Sequence, residues 1–369
     1  MTGDTPAGAV PFDLAVVGTG ILGAMVAYRA MLRHPQWRIL AVDRQRVGAG
    51  ATGMSAGFDV PTGRGERQRS MAARSTAFYA ELAGRRAASA RRAVDVFWLV
   101  SAGGRQALAD TVHGSPPEEV GAARAKELAA VFPGLAPGPE TVLLATGPGS
   151  RAVPATVARD LLREVRGTPG NAVRDGWHVR AVEPAYDGLA LLSSDGTGVT
   201  ARRVVVATGP WAVDGPYGDR AAAHGVRTKK VVAFHVQSPP PAGAPALVFE
   251  DEDAFLLPQP EHGRWLLSIT SQEWDVPATR PDRLVLTAQD RDIARAVLDR
   301  HVPGFGAGLA GGQVHCDSYP PDGLPLVTRA DDTGRAVLAV GGAGAGYRLA
   351  PAVAEDALNL FEPEGPDTA

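Results

Sequence analysis

The stretch that decides the fold runs from residue 12 to residue 43 and reads FDLAVVGTGILGAMVAYRAMLRHPQWRILAVD. Phe12 to Val17 is an apolar run of strand length, Ile21 to Leu32 has apolar residues at helical spacing, and Trp37 to Val42 is a second apolar run. The pattern predicts a strand, a glycine-rich turn, a helix and a second strand. A unit of this kind holds the pyrophosphate of a dinucleotide at the start of its helix.

The turn has the pattern G-x-G-x-x-G and consists of Gly18, Thr19, Gly20, Ile21, Leu22 and Gly23. Gly18 allows the tight turn, Gly20 lets backbone N–H groups approach a pyrophosphate, and Gly23 lets the helix pack closely on the strand. Asp43 lies twenty residues after Gly23, where a carboxylate can accept hydrogen bonds from both ribose hydroxyls. This carboxylate argues against a 2'-phosphate and hence against NADP. The alternative is that the glycines serve only a turn.

The bulk composition predicts an enzyme of two domains, with no nucleic-acid or membrane partner. The chain has 369 residues, which is long for a single core. Its 37 basic and 40 acidic residues give a net charge of −3, so no strong field attracts nucleic acid or an anionic membrane. The first apolar run is the nucleotide strand rather than a signal peptide, so we expect a cytoplasmic location. No spacing of His, Asp or Glu suggests a metal, and the single cysteine, Cys316, excludes an internal disulfide.

A loop of small residues follows Asp43 and Arg44 and reads VGAGATGMSAG over residues 47–57. Such a loop can lie flat against a large planar ligand. The order GTGILG, VDR and GATGMSAG resembles the opening of the FAD-dependent D-amino acid oxidase superfamily, which includes glycine oxidase and monomeric sarcosine oxidase. The resemblance implies that FAD is the cofactor, with Asp43 and Arg44 on its nucleotide side and Thr52, Met54 and Ser55 as further contacts. The alternative is a flexible surface loop.

Three later stretches repeat the order of motifs in that family. Residues 147–166 resemble its extended piece, proline and amphipathic helix, and VVVATGPWA over residues 204–212 resembles the turn near the FAD pyrophosphate, with Gly209 and Trp211 as contacts. A second glycine-rich turn over residues 341–346 precedes a helix that runs through Leu360. There the resemblance implies that Gly344, Gly346, Tyr347 and Arg348 lie against the flavin.

The resemblance implies an α/β fold with a discontinuous Rossmann-like FAD-binding domain interleaved with a substrate domain built on an antiparallel sheet. We predict that the FAD-binding domain comprises residues 10–80, 147–220 and 318–361. The substrate domain then comprises residues 85–146 and 221–317, with strands in residues 231–236, 246–249 and 265–269. Residues 362–369 have the composition of a disordered tail.

Arg348 is the leading candidate for a residue that binds the substrate, because it takes the place of the basic residue that binds the substrate carboxylate in sarcosine oxidase. Its neighbour Tyr347 is a second candidate. Asp317 stands where glycine and D-amino acid oxidases have a carboxylate-binding arginine. If Asp317 faces the pocket, it repels a simple carboxylate and attracts a cation; if it faces solvent, it is only a turn residue. For Arg348 the alternative is an ion pair or a phosphate contact.

Covalent attachment of FAD stays open at this stage. In sarcosine oxidases the attached cysteine lies seven residues before the Asp of the P-x-D-G-x-P segment, whereas here His315 holds that position and Cys316 follows it. A one-residue offset on a strand turns the side chain to the other face, unless a bulge restores it. The lysine that assists electron transfer to oxygen in sarcosine oxidase has no counterpart in residues 265–270, so the acceptor also stays open.

The sequence therefore predicts an FAD-dependent oxidoreductase that removes hydride from a C–N bond of a small amine or amino acid. The alternatives are a dehydrogenase that uses an acceptor other than oxygen, and a flavin-binding subunit of a hetero-oligomeric oxidase. The sequence leaves the oligomeric state unknown. His235 and His262 are expected to be structural. Arg64, Arg67 and Arg69 are expected on a solvated helix face, with Arg64 or Arg67 as possible pocket residues.

Overall fold

The computed structural model describes residues 11–82, 84–85, 91–278 and 284–362. The predicted tail lies outside these ranges from residue 363 onward. The helices are α1 (Ile21–Arg33), α2 (Ala51–Met54), α3 (Gly65–Glu81), α4 (Arg105–Thr111), α5 (Ala122–Val131), α6 (Pro154–Gly167), α7 (Gly218–Ala223), α8 (Ala288–His301) and α9 (Gly346–Asn359). In the described ranges no helix is both long and apolar enough to cross a membrane.

The strands form four sheets. They are β1 (Leu14–Val17), β2 (Ile39–Val42), β3 (Phe58–Asp59), β4 (Arg92–Val94), β5 (Val96–Ser101), β6 (Glu118–Glu119), β7 (Thr141–Ala145), β8 (Gly149–Arg151), β9 (Ala172–Arg174), β10 (Val179–Ala185), β11 (Gly188–Ser193), β12 (Gly198–Ala201), β13 (Val204–Val206), β14 (Arg227–Val236), β15 (Ala246–Phe249), β16 (Ala254–Gln259), β17 (Arg264–Trp274), β18 (Leu309–Tyr319), β19 (Leu326–Arg329) and β20 (Ala336–Val340).

A six-stranded sheet has the order β19-β20-β13-β1-β2-β9. All of its neighbouring strands are parallel except the edge pair β19 and β20. The chain passes from β1 to β2 on one side, whereas β13 adds on the other side. The carboxyl end of β1 is therefore the point where the strand order reverses, and open α/β sheets bind their ligands at such a point.

Helices α1, α3, α6 and α9 contribute to the core on one face of this sheet. Tyr28 of α1, Met71 of α3, Leu161 of α6 and Leu349 of α9 are each at most 1% exposed in that cluster. Helix α1 begins one residue after Gly20, as predicted, and ends one residue beyond the predicted Leu32. The predicted β-turn-α-β unit is confirmed, and its apolar residues account for the parallel core.

An eight-stranded sheet has the order β18-β14-β17-β16-β15-β5-β7-β6. Its neighbours are antiparallel except β5 and β15, which run parallel. The predicted strands at residues 231–236, 246–249 and 265–269 all lie in this sheet, although β14 and β17 extend beyond the predicted ends. One face packs against α8 through a cluster that includes Phe234, Leu267 and Leu298. The mixed α/β fold class is confirmed.

Two smaller sheets, β3-β8-β4 and β10-β11-β12, complete the strand pairing that the structure describes. The second of them, a three-stranded antiparallel sheet within residues 179–201, was not predicted. Strand β18 continues through the predicted domain boundary at residue 317 and ends at Tyr319. The division into two domains at the stated boundaries stays a prediction.

Candidate active site

The first glycine-rich turn connects β1 to α1. Gly18 has a φ of +102°, and a Cβ atom there would lie 2.4 Å from the carbonyl oxygen of Ala207. A Cβ atom at Gly23 would lie 1.9 Å from the carbonyl oxygen of Gly18. Only glycine avoids these contacts and also adopts the left-handed φ of Gly18 without strain. The turn therefore brings the backbone against the amino end of α1, which carries partial positive charge.

Asp43 follows β2 and holds this turn. Its Oδ2 atom accepts hydrogen bonds from the Thr19 backbone N–H at 2.7 Å and from the Thr19 hydroxyl at 3.0 Å, and its Oδ1 atom accepts one from the Gln45 N–H at 2.9 Å. A carboxylate offers about four lone-pair positions. Asp43 can therefore accept about one further hydrogen bond, whereas the sequence predicted that it accepts one from each of two ribose hydroxyls.

Thr52 ties the small-residue loop to the start of α1. Its hydroxyl accepts a hydrogen bond from the backbone N–H of Ile21 at 2.9 Å. One of the first N–H groups of the helix is thus already satisfied by protein. The loop and the glycine turn therefore form one continuous wall.

One cavity of about 790 Å³ extends from this wall to the eight-stranded sheet, and its lining includes Gly18, Asp43, Ser55, Thr270 and Arg348. Small-molecule sites commonly enclose about 300–1,000 Å³. The cavity is therefore large enough for a sizeable ligand that contacts both sheets.

Most of the residues that the sequence predicted as cofactor contacts line this cavity. They are Gly18, Gly20, Ile21, Leu22, Asp43, Arg44, Thr52, Met54, Ser55, Gly209, Trp211, Gly344, Gly346, Tyr347 and Arg348. Thr19 and Gly23 do not line it. Thr19 is fully buried and bonded to Asp43, and Gly23 packs against Gly18, so both shape the turn from behind.

Three buried polar atoms belong to cavity residues and have no hydrogen-bond partner in the described part of the chain. They are the Thr208 hydroxyl, Nδ1 of His315 and the Tyr347 hydroxyl. An unsatisfied buried polar group costs about 1–3 kcal/mol. Their residues line the cavity, so these three atoms are polar groups beside it that the described residues leave without a partner.

The second glycine-rich turn is held by the end of β18. Gly341 and Gly344 have φ values of +77° and +74°, and Ala343 has +48°, which is uncommon for a residue with a Cβ atom. The Ser318 hydroxyl accepts a hydrogen bond from the Gly341 N–H at 3.1 Å, and the Ser318 carbonyl accepts one from the Ala343 N–H at 3.0 Å. These contacts fix the turn just before α9.

Asp317 precedes Ser318 on β18. It faces the cavity, as in the first alternative from the sequence, and it also supports a turn, as in the second. It lines the cavity, yet its Oδ1 atom accepts a hydrogen bond from the Ser318 N–H at 2.8 Å and its Oδ2 atom accepts one from the Gly344 N–H at 3.0 Å. Burial raises the pKa of Asp317, and the two backbone hydrogen bonds oppose that rise. The carboxylate therefore supports the second turn from the cavity wall.

Arg348 follows this turn, in the first part of α9. Its Nη1 atom donates hydrogen bonds to the carbonyl oxygen and the hydroxyl of Thr62 and to the carbonyl oxygen of Val60. Within the described residues, its Nε and Nη2 atoms donate no hydrogen bond, and no carboxylate lies within ion-pair distance. Burial lowers the pKa of Arg348, and the negative charge of Asp59 partly opposes this lowering. Asp59 itself forms an ion pair with Arg91 at 2.8 Å. The cavity therefore contains a guanidinium without a matching acid.

A family model described as FAD dependent oxidoreductase matches residues 13–360. The chain belongs to this family. FAD is its cofactor, as the resemblance implied. The cavity fits that group, because glycine backbone lines it at one end and its volume of about 790 Å³ suits a large ligand. No curated protein matches the sequence.

Solved structures of enzymes with differing chemistry show the same fold. Glycine oxidase from Geobacillus kaustophilus is 18% identical, with a TM-score of 0.74 and 95% of each chain covered. L-proline dehydrogenase from P. horikoshii is 18% identical, with a TM-score of 0.78, covering 95% of this chain and 93% of the other. L-alpha-glycerophosphate oxidase from Mycoplasma pneumoniae, solved with FAD bound, is 13% identical, with a TM-score of 0.76, covering 96% and 95%. At this identity the likeness shows the fold alone.

In this FAD dependent oxidoreductase, His315 faces the cavity and Cys316 does not. Residues Gln313, His315, Asp317 and Tyr319 of β18 line the cavity, whereas Cys316 is 4% exposed and turns away from it. The pairing of β18 with β14 is continuous from Gln313 to Tyr319, so no bulge returns Cys316 to the cavity face. Burial lowers the pKa of His315 to about 4 and raises that of Cys316 to about 11.

Sequence analysis missed Lys229. It lies on β14 directly across from Asp317 of β18, and it lines the cavity. Its Nζ atom donates a hydrogen bond to the Thr270 hydroxyl at 3.1 Å. The alternation of Thr228, Lys229, Lys230 and Val231 along a strand could have identified it, because one of two adjacent lysines must point to each face of the sheet.

The remaining candidates have structural surroundings. Arg64 lines the cavity but is 75% exposed in its side chain, 3.9 Å from Asp253. Arg67 lies 3.6 Å from Asp322, and Arg69 donates a hydrogen bond to the carbonyl oxygen of Asp110. His235 contacts Arg264 through Nδ1, and neither His235 nor His262 lines the cavity. Among the described residues, no group of three or more His, Cys, Asp and Glu side chains could hold a metal ion.

Proposed function

We propose that this FAD dependent oxidoreductase oxidises the C–N bond of an amine or amino acid that carries a carboxylate, giving an imine, with oxygen as the electron acceptor. The observation that carries the proposal is Arg348, a cavity-lining guanidinium that has no ion-pair partner in the described chain. A carboxylate is the group that such a cation binds most strongly, through two parallel hydrogen bonds.

The chain's part in the reaction is to bind and orient the substrate. When bound, FAD would supply the two-electron oxidant for removal of hydride from the α carbon, and loss of the N–H proton to solvent would leave the imine. The Nη1 atom of Arg348 is fixed by Val60 and Thr62, which leaves Nε and Nη2 for a carboxylate. A guanidinium held in this way orients its ligand at a lower entropic cost.

Apolar side chains on the cavity wall exclude water around the reacting nitrogen. They are Trp98, Val248 and Phe255. A drier surrounding lowers the pKa of a bound ammonium group, so more of the amine has the free lone pair that the reaction needs. His315 adds no charge near neutral pH, because burial lowers its pKa to about 4.

Residues on the glycine-turn side would hold the cofactor. The backbone at Gly18 and Gly20 would approach the pyrophosphate, Asp43 would accept from the ribose, and Thr52, Met54 and Ser55 would contact the flavin side. The amino end of α9, at Gly346, would place partial positive charge beside the ring. Asp317 would act as a positioning residue that holds the second turn.

Flavin bleaching under nitrogen tests the proposal. The holoenzyme is mixed with D- and L-amino acids, N-methyl amino acids, diamines, cyclic amines and hydroxy acids, and the flavin absorbance is followed. We expect reduction by amines that carry a carboxylate and weak or no reduction by diamines. Reduction by hydroxy compounds alone, or by none of the amines, would contradict the proposal.

The acceptor needs a separate measurement. Once a reducing substrate is known, the reduced enzyme is mixed with air-saturated buffer, and reoxidation and hydrogen peroxide are recorded. Fast reoxidation with one peroxide per substrate supports an oxidase. Slow reoxidation in air with fast turnover on an artificial dye would favour a dehydrogenase.

A further inference from the structure

Lys229 is one of several cations on the cavity wall, beside Arg44, Arg64, Lys230 and Arg348, and the mechanism above does not use it. On β14, Lys229, Val231 and Ala233 line the cavity, and they pair in register with Asp317, His315 and Gln313 of β18, which line it too. Because directly opposed residues lie on the same face of a sheet, these side chains form one wall. Lys229 therefore projects from the eight-stranded sheet toward the cavity.

The neighbouring Lys230 provides an internal contrast. It also belongs to the residues that line the cavity, but it is 2% exposed, and its Nζ atom lies 2.6 Å from Glu273 and 2.7 Å from Asp290. Its charge is matched by two carboxylates, as a buried cation requires. The fold therefore provides carboxylate partners for the charge of Lys230, whereas in the part of the chain that the structure describes it provides none for the charge of Lys229.

Lys229 has no carboxylate within 4 Å among the described residues. Its one hydrogen bond goes to the uncharged hydroxyl of Thr270, so two of its three N–H donors stay available. The rings of Trp274 and Tyr319 lie 5.2 Å and 5.6 Å from its Nζ atom, where they favour a cation without neutralising it. The cavity wall thus positions the ammonium group of Lys229 but, within the described ranges, provides no negative charge and leaves two of its N–H donors without an acceptor.

Most of the acids on the cavity wall have other surroundings, although Asp214 also lines it and forms no ion pair among the described residues. Asp317, directly across from Lys229, accepts hydrogen bonds from the Ser318 and Gly344 backbone. Asp253 faces Arg64, and Asp322 faces Arg67. Glu250 lines the cavity, and burial raises its pKa, which favours its uncharged form.

We propose that Lys229 binds a second acidic group of the substrate, so that the enzyme prefers amines with two carboxylates to amines with one. This inference rests on the proposed function, in which Arg348 binds the first carboxylate. An ammonium–carboxylate hydrogen bond contributes enough to give a preference of about tenfold to a hundredfold.

Calorimetric binding of inert acids to the holoenzyme tests the inference without turnover. The ligands are butyrate and the dicarboxylates malonate, succinate, glutarate and adipate. We expect at least one dicarboxylate to bind about tenfold or more tightly than butyrate, and the best chain length reports the separation of the two cations. Equal binding of all the acids, or no binding, would overturn the inference.

Variants assign the preference to Lys229. Lys229→Met should remove most of the dicarboxylate preference and change butyrate affinity less than about threefold, whereas Lys229→Arg should keep much of the preference. Lys126→Met is the matched control, since Lys126 is exposed on α5 and the net charge changes equally. Arg348→Met should weaken both ligand classes. If Lys229→Met does not fold, Lys229→Gln and Lys229→Arg still decide whether the preference follows the charge.

Two outcomes distinguish the inference from the proposed function. A dicarboxylate preference that depends on Lys229, with no amine reducing the flavin, would keep the second-acid site and reject amine oxidation. Amine oxidation with equal affinity for mono- and dicarboxylates would reject the second-acid site and keep amine oxidation. A ligand-free Lys229→Met protein with a shifted flavin spectrum and unchanged acid preference would show that Lys229 serves the cofactor, which overturns the inference.

Discussion

The two ends of the cavity are built in different ways. At the glycine-turn end, the wall is backbone from residues close together in the chain, and Gly18, Gly23 and Asp43 serve mainly to shape that backbone. At the sheet end, the wall is made of side chains from separate strands, with Lys229, Thr270 and Asp317 meeting only through strand pairing. We propose that the first end binds FAD, the cofactor of the family, and that the second end can change its ligand through exchange of single side chains.

This difference predicts opposite responses to substitution. A change in the glycine turn should affect cofactor retention and stability together, because backbone conformation is shared by the fold and the site. A change at the sheet end should affect the substrate and leave the cofactor in place. The predictions below test this separation, and they begin with the largest expected effect.

Gly18→Ala should abolish FAD retention. The new Cβ atom would lie 2.4 Å from the Ala207 carbonyl oxygen, and φ is +102°. Gly176→Ala is the matched control, because Gly176 also has a positive φ, of +72°, but has nothing within 4 Å of a Cβ atom. The control should lose only about 1 kcal/mol of stability. FAD content after gel filtration measures cofactor retention, and the melting temperature measures stability. Equal values for the two variants would contradict the account.

Asp43→Ala should weaken FAD by about tenfold to a hundredfold. Part of that loss should come from the turn itself, since Asp43 accepts two hydrogen bonds from Thr19. Thr19→Val removes only the hydroxyl bond and should weaken FAD by a smaller factor. Fluorescence titration of the apoprotein with FAD measures both values. A Thr19→Val effect as large as that of Asp43→Ala would mean that the ribose contact contributes little.

The same difference explains which features of the fold and the site could be predicted from the sequence. The β1-α1-β2 unit could be predicted because its glycines, apolar spacing and Asp43 are local signals, and the α/β class followed from their order. The exclusion of Cys316 from the cavity needed the register of β18 with β14. Alternation along β14 could have placed Lys229 on one face, but its contacts with Thr270 and Tyr319 needed three strands at once. The engagement of Asp317 with Gly344 needed the path of a turn 27 residues away. Contacts of that kind depend on tertiary packing and leave little periodic signal in the chain.

His315 should give the holoenzyme a shallow dependence of stability on pH. Its pKa is lowered from 6.5 to about 4 in the folded protein, so between these values the unfolded chain binds more protons. The free energy of unfolding should therefore be highest above pH 6.5 and fall toward pH 4, by at most about 1.4 kcal/mol per pH unit from this group. Denaturant unfolding of the wild type and of His315→Gln measures the slope. Identical slopes would show that His315 is not kept neutral.

Cys316→Ser should have the smallest effect on the cofactor. Cys316 is buried on the face of β18 that turns away from the cavity, so we expect acid precipitation to release FAD from both the wild type and the variant. Colour that stays in the wild-type pellet but not in the variant pellet would contradict this placement. Colour retained by both would direct peptide mass spectrometry to His315.

The central claim is that Arg348 binds the carboxylate of an amine substrate. The direct measurement is anaerobic stopped-flow reduction by an amino acid and by its carboxamide, in the wild type and in Arg348→Met. Arg69→Met is the control, since Arg69 does not line the cavity. The account predicts that the wild type and the control prefer the amino acid by about tenfold or more in reduction rate over half-saturation concentration, and that Arg348→Met loses this preference. A preference that survives in Arg348→Met would contradict the account.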